Sequence, residues 1–383
     1  MKVPILNLKR LHNSIKDEIY EAFDGVFSEQ RFILGKQVKQ LEERVSSYIG
    51  TKYAVGIASG TDALLLALKA LSYKIYGREY FKSEDEIITT PFTFVATADT
   101  ILLSGAAPVF VDIDSYTYNI NPENIRKYLS NNSSKVKAII PVHLYGQACN
   151  MDGIMQTAKE FGIYVIEDVA QAFGGKWKDK KLGNFGIAGC LSFFPTKGLG
   201  SFGDGGMVVT NDKTIAEIVD MLRKHGGKDK YNVSILGHNS RLDTLQASIL
   251  LKKLKYVEKW NENKRKIAQV YNTELSGIND IILPVAHNSL PITPVYHQYT
   301  IRVKKRDELQ AYLKKKEIQT ITYYPVSLHK QKLFDGRVNP ARKFGSLKNS
   351  ELVTKQVLSL PIDPLQTEEE TTYVVNMIKE FFI

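Results

Sequence analysis

The sequence has few of the residues that mark secreted, metal-binding or membrane proteins. Among its 383 residues only Cys149 and Cys190 are cysteines, and they lie far apart, without the spacing of metal ligands. We therefore expect neither a disulfide framework nor a zinc site, and we predict no bound metal. No stretch reaches the roughly 18 uncharged apolar residues of a membrane span, and the first residues lack a signal-peptide core. These absences predict a cytoplasmic protein with no membrane contact.

Two further absences concern nucleotide and nucleic-acid ligands. The G-x-G-x-x-G sequence that follows the first strand of a dehydrogenase is missing, because the first predicted strand leads into Ser59-Gly60-Thr61. The formal charge of +10 is spread over helical surface segments such as 250–255 and 313–317, without a basic tail. We therefore expect no nucleic-acid binding, although a basic surface is compatible with an anionic small substrate. A basic nucleic-acid-binding or regulatory protein is the non-enzyme alternative.

Apolar β-branched runs alternate with helical segments over the first half of the chain. The predicted strands are Ala54–Ile57, Glu86–Thr90, Pro108–Asp112, Ala138–Val142 and Tyr164–Asp168. Strands without polar alternation are typical of an α/β fold with a mainly parallel sheet that is buried on both faces.

The later part of the chain has a different pattern. From about Thr214 it is mostly helical, with one helix predicted over Arg241–Leu275 and a strand over Tyr299–Val303. The chain is also longer than one hydrophobic core usually supports. We predict a large α/β domain over residues 1–255, with a helical lead-in, and a smaller C-terminal α+β domain over residues 256–383.

Parallel α/β sheets bind ligands at the carboxyl ends of their strands. Two segments at predicted strand ends carry polar groups suited to this. Gly60 and Thr61 open a helix rich in Ala and Leu, so their free backbone N–H groups suit a phosphate. An ordinary capped helix start is the alternative. Asp168 ends an apolar strand and is followed by Gln171. An acid at this position has three possible roles: partner of a cation, metal ligand or helix cap. The sequence has no matching cluster of His or acidic residues that would indicate a metal site.

Two other segments carry an aromatic ring and an amine. Phe94 follows the second predicted strand, where it either packs in the core or stacks on a flat heterocycle. Lys197 stands between Phe193-Phe194 and a stretch with five glycines. It is either a surface lysine on a glycine loop or a desolvated, nucleophilic amine. Together, a phosphate cradle, an acid, a stacking ring and a semi-buried amine are the set that pyridoxal phosphate requires.

These motifs resemble those of the DegT/StrS-type family of nucleotide-sugar aminotransferases that depend on pyridoxal 5'-phosphate (PLP). The motifs are Arg31–Gly35, Gly60–Leu64, Glu167–Gln171, Ser192–Lys197 and Gly237–Asp243, so the resemblance covers nearly the whole chain. It implies the aspartate aminotransferase fold (type I PLP-dependent transferase), with a mainly parallel sheet of the seven-stranded type. Relatives that remove a hydroxyl carry histidine at the lysine position, so Lys197 favours transamination.

The resemblance also implies roles for individual residues. Lys197 would hold PLP as a Schiff base and carry protons, and Asp168 would face the pyridine nitrogen. The remaining cofactor-binding residues would be Gly60, Thr61 and Ser192 at the phosphate, Phe94 against the ring, Gln171 at the phenolic oxygen, and Asn239 from a neighbouring subunit. The active unit would then be a homodimer.

The implied substrates are L-glutamate, the usual donor of the family, and a nucleotide-linked keto sugar. Segments 296–301 and 322–329 resemble those of members that act at C-3 of dTDP-linked 3-keto-6-deoxyhexoses, which makes Tyr323, Tyr324 and His329 candidate substrate-binding residues. Members that aminate UDP-linked 3-keto hexuronates tend to carry histidine in place of Tyr323. Arg241, a further candidate substrate-binding residue, keeps that acid sugar as an alternative, and 4-keto sugars are another. The expected setting is deoxyamino-sugar synthesis for lipopolysaccharide or other glycans.

Overall fold

The structure is a computed structural model that describes residues 1–229, 231–284, 290–336 and 339–383. Within these residues the strands form one sheet of eight strands and two sheets of three. The strands are β1 (Tyr53–Ile57), β2 (Glu86–Thr89), β3 (Ala107–Phe110), β4 (Val136–Ile139), β5 (Tyr164–Asp168), β6 (Lys176–Trp177), β7 (Lys180–Lys181), β8 (Ala188–Ser192), β9 (Gly206–Thr210), β10 (Ile281–Ile282), β11 (Ile292–Thr293), β12 (Tyr299–Val303), β13 (Arg342–Lys343) and β14 (Val357–Leu360).

The helices lie between and after these strands. They are α1 (Leu8–Asn13), α2 (Lys16–Glu29), α3 (Lys36–Ile49), α4 (Gly60–Tyr76), α5 (Ala96–Leu103), α6 (Pro122–Asn132), α7 (Met151–Phe161), α8 (Lys213–Leu222), α9 (Thr244–Leu254), α10 (Val257–Leu275), α11 (Arg306–Lys315), α12 (Lys348–Val353) and α13 (Glu368–Phe382). Short 3-10 turns cover Leu144–Gly146, Leu328–Lys330 and Lys332–Phe334. No helix in the described ranges is long and apolar enough to cross a membrane.

The large sheet has the order β1-β9-β8-β5-β4-β2-β3-β13. Strand β9 runs antiparallel to β1 and β8, and the other neighbours pair in parallel. The predicted α/β fold with a mainly parallel sheet is confirmed. The sheet has an eighth strand, the two-residue β13, at its edge beside β3. The sequence Arg342-Lys343 is too short and too polar to predict a strand there.

The large sheet is buried on both faces because its strands are apolar throughout. Successive residues of a strand point to opposite faces, so Ile87 packs in one apolar cluster and Ile88 in another. Helix α4 covers the first cluster with buried alanines and leucines between Ala63 and Leu71, and α3 contributes Val38 and Leu41 to the second. With both faces covered, the strand ends remain accessible to a ligand.

A smaller apolar cluster surrounds the antiparallel sheet β10-β12-β14. It takes residues from α10, α11 and α13, and also Val3 from the beginning of the chain. Val3 pairs with Ile318, and the backbone N–H of Asn7 donates to Asp363 at 2.6 Å. The residues before α1 therefore pack against the C-terminal part of the chain. The division into domains 1–255 and 256–383 remains a prediction.

The single helix predicted over Arg241–Leu275 is wrong. The structure has α9 and α10 there, separated at Lys255 and Tyr256. Neither residue is Gly or Pro, so the sequence carries no breaker signal at the interruption. The predicted boundary near residue 255 coincides with this break.

Both cysteines are buried and free. Burial raises the pKa of the Cys149 and Cys190 thiols well above the ordinary value, and the nearby Glu167 and Asp168 carboxylates add to the effect. Neither thiol is therefore a reactive nucleophile.

Candidate active site

The predicted site lies where β1, β5 and β8 end. Strand β9 is antiparallel to β1 and β8, and β8 is parallel to β5, so the carboxyl ends of β1, β5 and β8 share one edge of the sheet. Gly206, the first residue of β9, stands opposite both Ile57 and Ser192. The sheet register therefore brings together the residues that follow these strands.

The turn after β1 forms a cradle against the end of β8. Helix α4 begins at Gly60, and the Ser59 hydroxyl caps it by accepting a hydrogen bond from the Asp62 N–H at 3.0 Å. A Cβ atom on Gly60 would lie 2.5 Å from the Cβ of Ser192, and one on Gly206 would lie 2.2 Å from the Ser59 carbonyl oxygen. Both positions need glycine for the backbones to approach this closely. The approach sets the free N–H groups of α4 beside the Ser192 hydroxyl, which fits a phosphate.

Asp168 is a buried acid at the end of β5. One carboxylate oxygen accepts a hydrogen bond from the Thr97 hydroxyl at 2.8 Å, and the other accepts from the Ala170 N–H at 3.1 Å. Burial raises the pKa of Asp168, while the Thr97 hydrogen bond and the charge of Lys197 partly oppose that shift. A cationic ring nitrogen beside this carboxylate would satisfy a charge that is otherwise costly to bury.

Lys197 is half-buried in the turn after β8. Burial lowers the pKa of its amine, and the charge of Asp168 opposes the shift. The turn is held tightly: the Lys197 N–H donates to the Phe194 carbonyl at 2.8 Å, and the Lys253 ammonium donates to the Gly200 carbonyl. The interpretation of Lys197 as an ordinary surface lysine on a solvated glycine loop therefore does not fit the geometry.

Adjacent carboxylates at the end of β5 have different partners. Glu167 is fully buried and accepts hydrogen bonds from the His143 ring at 3.2 Å and from the backbone N–H groups of Gly183, Phe185 and Gly186. The His143 Nδ1 accepts from the Cys149 N–H at 3.1 Å, so its Nε2 carries the proton that Glu167 receives. Glu167 thus fixes the backbone around the strand end and leaves Asp168 for a ligand.

Gln171 and the rings of Tyr324 and Phe94 form another side of the candidate site. The Gln171 amide oxygen accepts from the Tyr145 N–H at 2.7 Å, and its NH₂ group donates to the Tyr324 hydroxyl at 3.0 Å. The Phe94 ring lies 6.4 Å from that of Tyr324 and is 55% exposed, whereas Phe92 is fully buried. Phe92 is therefore the core aromatic of this segment, and Phe94 has a face open for stacking.

The other predicted site residues differ in burial and partners. Thr61, in the first turn of α4, and Arg241 are half-buried, and Asn239 is exposed. His329 lies in a 3-10 turn, where its Nε2 is 3.0 Å from the Glu351 carboxylate. Burial lowers the pKa of His329. Among the described residues, the contacts of Asn239, Arg241 and His329 do not include Lys197 or Asp168, so their predicted roles remain predictions.

Some residues beside Asp168 and Lys197 were not predicted. Thr97 lies one helical turn after Phe94, a spacing that would have placed both at the same strand end. His297 and Lys264 line a cavity together with Lys197. His297 lies in the 296–301 segment, but no local signal distinguishes Lys264 from the other lysines of α10. No group of three potential metal-ligating His, Cys, Asp or Glu side chains occurs within the described part of the chain.

The model of the DegT/DnrJ/EryC1/StrS aminotransferase family matches residues 13–379. The chain belongs to this family. Membership confirms the predicted family and fold and identifies the chain as a transaminase.

Curated relatives of this DegT-family chain carry names of different kinds. A pleiotropic regulatory protein of Geobacillus stearothermophilus is 44% identical, over 100% of this chain and 99% of its own. A UDP-2-acetamido-2-deoxy-3-oxo-D-glucuronate aminotransferase of Pseudomonas aeruginosa is 39% identical, over 94% and 95%. A dTDP-3-amino-3,6-dideoxy-alpha-D-galactopyranose transaminase of Aneurinibacillus thermoaerophilus is 38% identical, over 99% of each chain.

A solved structure extends the similarity to three dimensions. The crystal structure of S. venezuelae DesV in complex with a ketimine intermediate superposes with a TM-score of 0.92 at 35% identity, covering 99% of this chain and 98% of that one. The DegT-family fold is therefore matched over essentially the full length of both chains.

Proposed function

We propose that the protein is a PLP-dependent aminotransferase that moves an amino group from L-glutamate to C-3 of a dTDP-linked 3-keto-6-deoxyhexose. The observation that carries this proposal is the convergence of a half-buried Lys197 amine, on whose pKa the Asp168 charge acts, with the buried Asp168 carboxylate and the Gly60–Ser192 cradle at one edge of the sheet. The family match and the relatives named for nucleotide sugars support the same chemistry.

The residues of the site fit PLP group by group. The glycine-lined cradle and the Ser192 hydroxyl suit its phosphate, and the open face of Phe94 suits its ring. Asp168 suits the ring nitrogen, and the second N–H of the Gln171 amide, which has no partner among the described residues, suits the phenolic oxygen. When bound, PLP supplies an aldehyde that holds the amino group and a ring that accepts electrons from the adjacent carbon.

Lys197 is the proposed proton carrier. Because burial lowers its pKa, a larger fraction of the amine is neutral near pH 7 than for an exposed lysine. A neutral amine accepts a proton from the α-carbon of the donor and returns it at the other carbon centre. The hydrogen bonds that hold the Phe194–Gly200 turn keep this amine in place during both transfers.

A homodimer is part of the proposal. Asn239 is exposed in the single chain, and the family pattern assigns it to the phosphate of a neighbouring subunit. A second copy of the chain would cover Asn239 and bring it to the cradle.

The choice of sugar rests on Tyr323, which lines the cavity beside Lys197. Burial raises the pKa of Tyr323 above its ordinary value, so the phenol stays neutral. A phenol carries no positive charge in either protonation state and therefore offers no cation to a sugar carboxylate. This favours a 6-deoxy sugar over a hexuronate. The UDP-linked 3-keto hexuronate is the second candidate because Arg241 supplies a cation and the relative that acts on such a sugar is 39% identical.

Covalent trapping tests the proposal. Borohydride reduction of the yellow holoenzyme is expected to fix the cofactor on Lys197, which mass spectrometry of the peptide would show, and Lys197→Ala should give no adduct. A stable adduct on another lysine in that variant would refute the assignment of Lys197.

Turnover with candidate sugars tests the substrate. The dTDP-linked 3-keto-6-deoxy sugar should be aminated faster than the UDP-linked hexuronate, and the reverse order would favour the second candidate. Absence of amination of any keto sugar, together with absence of bound cofactor, would leave the regulatory alternative suggested by the Geobacillus relative.

A further inference from the structure

A cavity of about 90 Å³ adjoins Lys197 on the side of the C-terminal unit. Its apolar wall comes from the segment around α1, including Leu8 and Leu11, and from Trp260 of α10. Its polar lining includes Lys197, Lys264, His297 and Gln298. The volume is far below the roughly 300–1,000 Å³ of pockets that hold drug-sized ligands. The cavity therefore suits a small molecule or one end of a larger one.

Lys264 is a buried cation with no hydrogen bond or ion pair to any residue in the described parts of the chain. Its relative exposure is 6%, and burial lowers its pKa to about 8 although the charge of Asp363 opposes the shift. Lys266, on the same helix, instead lies at the surface and pairs with Glu262 at 3.0 Å. A buried charge without a partner is costly. An anion in the cavity would supply the missing partner.

Asp363 does not fill that role by direct contact. One of its carboxylate oxygens accepts from the Asn7 N–H at 2.6 Å and the other from the Leu365 N–H at 2.7 Å. Its function is to tie the segment before α1 to the C-terminal unit. Arg10 makes a second tie through a two-pronged contact with Glu370.

Two further side chains in the cavity are available to a ligand. Burial, followed by the charges of Lys197 and Lys264, lowers the pKa of His297 well below its ordinary value, so its ring is neutral and carries one N–H donor. The Gln298 amide oxygen is buried without a partner among the described residues. Rotation of that amide would present its NH₂ group instead. Donors thus outnumber acceptors around the cavity.

We infer that this cavity binds a carboxylate group of the amino-acid donor, with Lys264 as its cation partner and Trp260 and Leu11 beside its methylene groups. The inference rests on the aminotransferase function proposed above, because it needs the donor to react at Lys197. A nucleotide exceeds the available space, and a phosphate ion would leave the apolar wall of Leu11 and Trp260 without contact. A carboxylate on a short aliphatic chain matches both the size and the lining.

Binding of glutarate to the holoenzyme tests the inference. Glutarate is a dicarboxylate without an amine, so it occupies a donor site without reacting. Trp260, one of two tryptophans, should report binding by a change in fluorescence, and calorimetry should give the Kd. In Lys264→Met the Kd should rise by roughly 30-fold or more, because a buried charge partner is lost. The matched control Lys266→Met should leave it unchanged.

Stability separates a binding role of Lys264 from a structural one. If the buried cation awaits a ligand, Lys264→Met should raise the midpoint of thermal unfolding at pH 7. The gain should shrink toward about pH 10, because Lys264 is already neutral in the folded protein above about pH 8. A glutarate Kd equal to that of the wild type would overturn the inference, as would a Lys264→Met variant that fails to fold.

An NMR titration of His297 in the wild-type protein tests the inference without any substitution of Lys264. Glutarate should raise the pKa of His297 in an NMR titration, since a nearby carboxylate favours the imidazolium, and His297→Gln assigns the signal. An unchanged His297 titration in saturating glutarate would overturn the inference.

Measuring the two half-reactions separately shows whether the bound carboxylate belongs to the amino donor or to the sugar. It also distinguishes failure of this inference from failure of the proposed aminotransferase function. In Lys264→Met, the half-saturating glutamate concentration for the change in cofactor absorbance should rise, while the keto-sugar half-reaction should not change. A defect confined to the sugar step would assign Lys264 to an acidic sugar and overturn the inference. If no amino acid alters the cofactor absorbance of the wild type, the proposed function fails, whereas glutarate binding still reports on the cavity.

Discussion

Residues at the site differ in whether their polar groups are already used by the protein. Glu167 receives four hydrogen bonds from the His143 ring and the backbone around it, whereas Asp168 receives only two from the described residues, those of Thr97 and one backbone N–H. Within the described part of the chain, the Lys197 amine has no hydrogen-bond partner, while the Lys253 ammonium is fixed to a backbone carbonyl. Burial with incomplete pairing is common where ionisable groups act in catalysis.

Asp168→Asn should separate cofactor binding from turnover. The amide keeps the size of the side chain but cannot hold a ring nitrogen in its protonated state, so the electron demand of the ring falls. We expect turnover to fall by about 100-fold or more, as when an electrostatic contact to the reacting group is removed. Cofactor affinity should change much less.

The check for Asp168 is a cofactor titration alongside steady-state kinetics. Thr97→Val, which removes the 2.8 Å hydrogen bond to the carboxylate and a 3.3 Å contact with the Thr93 hydroxyl, should give a smaller loss of turnover. Turnover by Asp168→Asn at the wild-type rate would contradict the role given to this residue.

Helices and strands were predictable to the extent that each carries its own local pattern. The β-branched runs indicate β1 to β5 and β12, and Tyr164–Asp168 and Tyr299–Val303 coincide with their strands residue for residue. Strand β8 reads Ala-Gly-Cys-Leu-Ser, whose small residues lack strand propensity. It becomes a strand because β5 and β9 pair with it on either side. Tertiary pairing therefore decides this element, and no local pattern shows it.

Gly60→Ala tests the close approach of helix α4 to strand β8. The added Cβ would lie 2.5 Å from that of Ser192, so the start of α4 must move away from β8. We expect cofactor affinity to fall at least about tenfold, because the phosphate contacts depend on both elements, a loss of roughly 1.4 kcal/mol or more. Titration of the apoprotein with PLP measures it.

Gly25→Ala is the matched control for this change. A Cβ at Gly25, inside α2, meets no atom within 4 Å. The Gly25→Ala substitution should leave cofactor affinity unchanged and stabilise helix α2 slightly. Equal affinities of the Gly60→Ala protein and the wild type would contradict the proposed phosphate cradle.

At the scale of the molecule, the surroundings of Lys197 are assembled from distant parts of the sequence. The cavity beside it takes Leu8 from the first helix, Lys264 from α10 and Pro364 from the segment before α13. Motifs at strand ends predicted Lys197 and Asp168, because the sheet edge follows from the order of strands and helices. Lys264 was not predictable, since only its place in a cavity that it lines with residues of 5–11 and 360–364 distinguishes it from exposed lysines.

Hybrid dimers test the proposed sharing of sites between two copies of the chain. Lys197→Ala and Asn239→Ala homodimers should each have little activity. If both residues act in one site across the interface, each mixed dimer has one intact site. Random reassortment of equal amounts should then restore about a quarter of the wild-type activity, because half the dimers are mixed. Activity no greater than the average of the parents would contradict a shared site.

The burial of both thiols makes the native chain behave toward maleimide reagents as though it had no cysteine. Cys149 and Cys190 are at most 1% exposed, so a cysteine introduced at an exposed position would be the one that a fluorescent label reaches. Energy transfer between labels placed this way could follow subunit exchange in real time, without first replacing either native thiol.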